Sequence, residues 1–299
     1  MKQVSLVIVS AVYAAVVSIA GQAQAGILYG HGNWDETLYR IDTDTQTVTV
    51  VGVDGPGVGA ERQGPEIEMD PTGDVVYMSI VDWDSSTTMG LTQIDVTTGL
   101  SSSFVPWSGI PLVDDADFGA ATALEFVGST LYGSFHEAGP EIDPGVLGTI
   151  DTVTGSITAV GEMTGMNRPA GGLEYVDGVM YSVTATSNGD SRLFTIDLAT
   201  GITTPGAFIT YDGEQMDSIT ALAYADGVMY TLENNNPVLY SVDLATGVMS
   251  QEFNMEFYMN SLTPGAVVVP EPSSIAMFGI GALGLFGYSR RRRQTSAAA

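Results

Sequence analysis

Glu125 and Glu174 are the carboxylates whose placement suggests chemistry. Each directly follows a leucine, in Leu124-Glu125 and Leu173-Glu174, at equivalent positions of two copies of an internal repeat. Two acids facing each other are what a glycosidase uses, one as proton donor and one as nucleophile or base. Equivalence within a repeat argues first for a structural or radial role. A second group is aspartate-rich: Asp82 and Asp84 flank Trp83, and Asp114, Asp115 and Asp117 share one loop. Aspartates at alternate loop positions can supply the oxygen ligands that Ca2+ prefers. No segment completes an EF-hand, since Asp42-Thr43-Asp44 lacks both its glycine and its terminal glutamate. The two histidines, His31 and His136, are far apart, and neither H-E-x-x-H nor G-x-S-x-G occurs. Cysteine is absent, which excludes disulfides, thiolate zinc sites and a cysteine nucleophile. Trp34, Trp83 and Trp107 sit beside loop-like sequence, suited to stacking on sugar rings or to packing between elements.

The elements that must position these groups are strands. A pattern of Leu-aromatic-x-Ile-Asp-x-x-Thr-Gly recurs, with its aspartate at 42, 95, 151, 197 and 243. Apolar and polar residues alternate with the period of a half-buried strand. The aspartate starts a turn by binding its own backbone, and the glycine supplies a positive φ without steric cost. The five aspartates therefore read as turn formers rather than ligands. The copy at Asp42 departs, with Gln46 in the glycine position. A second hairpin precedes the later copies: Leu173 to Tyr181 closely matches Leu222 to Tyr230, each turning on Asp-Gly.

Two hairpins per repeat make four strands. Four strands every 40–50 residues is the pattern of a β-propeller, and the observed spacings are 53, 56, 46 and 46 residues. The first hairpin, from Ile27 to Gly52, lacks an inner strand of its own. Ser261 to Val269, with the strand-like run Ala266–Val269, could supply it and close the ring. This gives five four-stranded blades, or six or seven if loops hide further strands.

Charge narrows the partners. Between residues 26 and 270 the chain carries 4 basic and 34 acidic side chains, a formal charge of −30. Nucleic-acid binding depends on Lys and Arg neutralising phosphates, so this surface excludes it. Solubility through self-repulsion and attraction of cations are what it favours.

The ends read as processing signals. Lys2, the apolar stretch Val4–Ala20 and Ala23-Gln24-Ala25 form a secretory signal over 1–25, for cleavage by signal peptidase after Ala25. Near the C-terminus, Pro270-Glu271-Pro272 precedes an apolar run from Ile275 to Tyr288 and then Arg290, Arg291, Arg292 and Arg293. The run is close to the lower limit for a membrane helix, and the arginines should stay cytoplasmic. Gly279 to Gly284 matches G-x-G-x-x-G, but no strand and βαβ unit surround it, so it reads as small residues of a membrane helix.

This order of Pro-Glu-Pro, apolar helix and arginine cluster resembles the PEP-CTERM sorting signal of Gram-negative bacteria. The resemblance covers only about residues 269–293. It implies recognition by exosortase, transient anchoring by the C-terminal helix, and release near the Pro-Glu-Pro to the cell surface or matrix. Members often accompany exopolysaccharide production.

The expectation is therefore an all-β protein: signal 1–25, propeller 26–269, sorting signal with transmembrane helix 270–293, and a disordered tail 294–299. Its expected function is a non-catalytic surface or matrix protein binding an extracellular polysaccharide or surface protein. A polysaccharide hydrolase or lyase using Glu125 and Glu174, and a calcium-stabilised structural protein, are the alternatives.

Overall fold

The computed structural model describes residues 26–265, except 33–34, 54–61, 64–65, 83–87, 103, 110–118, 138–143, 167, 186–188 and 235. Every regular element in it is a β-strand. Four sheets contain four antiparallel strands, a fifth has the same layout with its inner position split in two, and Thr210–Tyr211 pairs with Glu214–Gln215 as a separate two-stranded hairpin. The chain is a five-bladed propeller, as the repeat spacing predicts. The N-terminal signal and the C-terminal sorting segment lie outside the described residues.

Blades two to five run from inner to outer strand in chain order. Blade two places Arg62–Gln63 and Ile67–Met69 against Val75–Asp82, followed by Thr88–Asp95 and Val105–Pro106. Blade three spans Gly119–Val127 to Ile157–Glu162, blade four Gly172–Val176 to Thr203–Phe208, and blade five Ile219–Ala225 to Met249–Asn254. Blade one joins both ends of the body. Its inner strand Met259–Pro264 pairs with Ile27–Gly32, beside Thr37–Asp42 and Thr47–Val53. The closing strand thus lies earlier than the Val-rich run at 266–269, which is outside the described residues. Pairing of Leu28 to Gly32 with Met259 to Pro264 fixes the register, whereas strand propensity alone favours the valines.

The core is a set of layers between blades, not one central mass. Leu28, Tyr39 and Ile41 of blade one pack with Ala221, Tyr230, Leu232 and Phe253 of blade five. Four similar clusters fill the other junctions. Alternation along each strand therefore serves two neighbours, one on each face of the blade.

The repeat turns dock these layers at the rim. Asp95, Asp151, Asp197 and Asp243 each accept backbone N–H bonds at i+2 and i+3. These bonds favour the ionised form, and Asp95, Asp151 and Asp243 lie below the ordinary carboxylate range; for Asp95 and Asp243 the bond from the turn threonine hydroxyl leads. Asp42 makes the shorter version to Thr45, and Gln46 takes the left-handed conformation at φ 54°. The turn of each of blades two to five sits on the outer part of the preceding blade. Gly201 shows why glycine is required there. Its φ is +75°, and an added Cβ would lie 2.5 Å from the Gly161 carbonyl oxygen. Gly201→Ala should cost about 2 kcal/mol from left-handed strain and the clash. The urea midpoint should fall by roughly 1 M with an unchanged slope; an unchanged midpoint would mean that the rim contact carries no stability.

Candidate functional site

The repeat places one inner-strand residue of each blade at the same level: Thr263, Glu68, Glu125, Glu174 and Ala223 in blades one to five. Registration with the next strand fixes this equivalence, since each lies opposite a tyrosine: Tyr29, Tyr77, Tyr132, Tyr181 and Tyr230. One step away on the same strand, Glu66 occupies the level held elsewhere by Ser261, Ala123, Gly172 and Ala221. All four glutamates are at most 5% exposed.

Each side chain at the first level reaches across to the next blade. Thr263 Oγ1 accepts the Met69 N–H at 2.8 Å and donates to Glu68 Oε2 at 2.9 Å. Glu68 Oε1 accepts the Phe126 N–H at 3.2 Å. Glu125 accepts from Tyr175, and Glu174 from Tyr224. Every donor is the residue following the equivalent position in the next blade. The fifth junction breaks the cycle on both sides at once. Ala223 has no acceptor, and the residue facing it in the pattern is Pro264, which has no N–H to offer. Tyr230 and Thr43 hydrogen-bond across that junction instead.

The electrostatics are one-signed. Burial pushes all four carboxyls up, and their mutual repulsion adds to the shift of Glu66, Glu125 and Glu174. Glu68 rises to about 8, held back by its bonds to Thr263 and Phe126. Among the described residues the one ion pair is Arg40–Asp42 at the surface. Glu66, Glu125 and Glu174 each keep one oxygen without a partner among the described residues. Buried like charges without a cation hold protons instead of ionising. Burial and mutual repulsion therefore favour the protonated form throughout the cluster; Glu68 is held by both oxygens to the blades on either side, and Glu125 and Glu174 each to the next blade.

The structure thus brings Glu125 and Glu174 together with Glu68 and Glu66, two acids the sequence reading did not single out. A glycosidase pair must meet a sugar and a water, and these carboxyls are at most 5% exposed. His31 is 3% exposed, and both ring nitrogens lack partners among the described residues. Burial lowers it to about 4, against the opposing pull of Asp35. Trp107 packs edge-to-face on Phe135 at 5.4 Å. Asp84, Asp114, Asp115, Asp117, Trp34 and Trp83 lie outside the described residues, as do the side chains of Asp82 and His136. Among the described residues no three His, Asp or Glu side chains are grouped to hold a metal ion.

Residues 268–293 match the PEP-CTERM protein-sorting motif, which implies export and exosortase-dependent sorting with membrane anchoring. Residues 130–267 match a repeat of unknown function, DUF6923. No curated protein matches. Among solved structures, a nidogen/laminin complex chain aligns at a TM-score of 0.52 and 12% identity, covering 81% of this chain and 98% of that one. The aldose sugar dehydrogenase of Streptomyces coelicolor in its PQQ-bound form aligns at 0.48 and 15%, covering 80% and 82%. The glutaminyl cyclase of Myxococcus xanthus aligns at 0.45 and 14%, covering 83% and 82%. At such identities the likeness concerns the fold alone.

Proposed function

We propose that this chain is an exported surface or matrix protein whose propeller binds an extracellular polymer without chemical turnover. In this reading the signal at 1–25 is cut at Ala25, the tail anchors the chain until exosortase acts near Pro270–Pro272, and the propeller is delivered outside. The observation that carries the non-catalytic reading is the state of the repeated glutamates. Glu68, Glu125 and Glu174 are at most 5% exposed and engaged in inter-blade bonds, which supports a structural role for them. What remains exposed is a strongly acidic ring surface suited to neutral or cation-bridged polysaccharide. Exopolysaccharide is the ligand class that the sorting signal suggests, with a surface protein as the other candidate.

The test is binding of residues 26–269 to the host's own exopolysaccharide, with and without calcium, while assaying for released sugar. Saturable binding without release is expected. Released sugar that disappears in Glu125→Gln or Glu174→Gln would replace this reading with a hydrolase or lyase. Absence of both binding and release would move the ligand to a surface protein. Calcium-dependent melting without binding would favour the calcium-stabilised structural protein.

A further inference from the structure

The five outer strands are not equally protected. An edge strand presents unpaired backbone groups, and proteins blunt such edges with shortness, proline or charge. Blade two ends in the two-residue strand Val105–Pro106. The outer strand of blade three carries exposed Glu162, that of blade four exposed Pro205, and that of blade five exposed Glu252. Blade one ends in Thr47–Val53, with the sequence Thr-Val-Thr-Val-Val-Gly-Val. It has no proline and no ionisable group in a body of formal charge −30. Thr47 to Val51 are all β-branched, which suits an extended strand. Val50 is 58% exposed and Val53 55% exposed. Among the described residues, the strand's one ladder is to Thr37–Asp42.

We propose that Thr47–Val53 is a strand-pairing interface that joins two copies of this chain edge to edge. The occupant is a second copy because the edge complements itself. Antiparallel pairing centred on Thr49 sets Val48 against Val50, each β-branched, and stops short of the bulge at Val51, where the ladder to Thr37–Asp42 shifts register. Its strand carries no carboxylate, like those of blades two and four, but unlike them it is neither two residues long nor interrupted by proline. The partner strand is held ready, since Gly52 is seated against Gly99 and the Thr98 carbonyl of blade two. Pairing consumes the one outer strand without proline, charge or shortness, so the assembly closes as a two-fold dimer instead of growing. Repulsion between the bodies opposes association and is screened by salt.

Sedimentation equilibrium of residues 26–269, a unit closed by its own two ends, tests this between about 0.05 M and about 0.5 M NaCl. The weight-average mass should rise with protein concentration towards twice the monomer, and further at the higher salt. Val50→Lys places a charge on the edge and should remain monomeric throughout, with an unchanged melting temperature as proof of folding. Thr158→Lys, on the outer strand of blade three, should associate like the parent. A parent monomeric at both salts, a Val50→Lys protein that dimerises normally, or growth beyond the dimer would each overturn the proposal.

Discussion

At about pH 4.5, Glu125→Ala should lower the melting temperature by about 4–8 °C, whereas Glu125→Gln should leave it within about 2 °C. Alanine removes the acceptor for the buried Tyr175 N–H and opens a cavity in the ring. An orphaned buried donor costs about 1–3 kcal/mol, and in a domain of this size each kcal/mol is worth roughly 2–4 °C. Glutamine keeps the accepting oxygen, and burial with the neighbouring carboxyls favours the protonated form of the acid it replaces. Glu174→Ala should behave alike through Tyr224. The two alanine changes together should be non-additive, because both act on one contiguous network. The fifth junction supplies the reciprocal experiment. Ala223→Glu restores the repeat residue but faces Pro264, so the new carboxyl is buried without its donor and should destabilise by at least as much as Glu125→Ala. If Ala223→Glu stabilises, the pinning account is wrong. Equal losses for Glu125→Ala and Glu125→Gln would also sink it, because the charge and not the accepting oxygen would then matter.

The ring was legible in the sequence because its turns are chemically obligatory. Aspartate at the first turn position and glycine at the left-handed one recur whatever the strands contain. The inner cluster was only half legible. Leu124-Glu125 and Leu173-Glu174 stand seven residues before Tyr132 and Tyr181, so they declare themselves as one repeat position. Ile67-Glu68 stands nine before Tyr77, because Asp70-Pro71-Thr72-Gly73-Asp74 replaces the short hairpin turn. Asp70 organises that longer turn by accepting from Gly73, Asp74 and Val75. Aligning the tyrosines of blades two to five instead of the turns would have exposed Glu68 and the loss of the acid at Ala223, whereas Thr263 and Pro264 come to Tyr29 only through ring closure. The closing strand was hidden differently. Met259–Pro264 has less strand propensity than the valines after it, and its pairing with the far end of the chain is a tertiary fact. The incomplete first blade points to the segment from Ser261 onward, but no local pattern places the strand at Met259–Pro264.

Stability should fall as pH rises, the reverse of what an acidic protein held by ion pairs would show. A carboxyl whose folded pKa is raised binds its proton more tightly in the folded chain. Its contribution is complete below the unfolded value near 4.5 and is lost as pH rises through the folded value. For Glu68 that window runs from 4.5 to about 8, and Glu66, Glu125 and Glu174 shift in the same direction. His31 pulls the other way. Its pKa is lowered from 6.5 to about 4, so its contribution is present above 6.5 and lost as pH falls through 4. Four acids outweigh one imidazole between these limits, and self-repulsion of the acidic surface adds to the loss once its carboxylates ionise. The melting temperature should therefore peak near about pH 5 and drop by roughly 10 °C by about pH 9. The double variant Glu125→Gln, Glu174→Gln should match the parent at about pH 4.5 and exceed it increasingly as pH rises, because glutamine has no proton to lose on unfolding. Added sodium chloride separates the two causes. Screening should soften the surface repulsion in parent and variant equally, while the difference between them, which arises inside the ring, should persist. A parent curve that is flat or rising from pH 5 to 9 would show that the cluster is ionised in the folded chain, and a counter-charge would then have to be sought inside the ring.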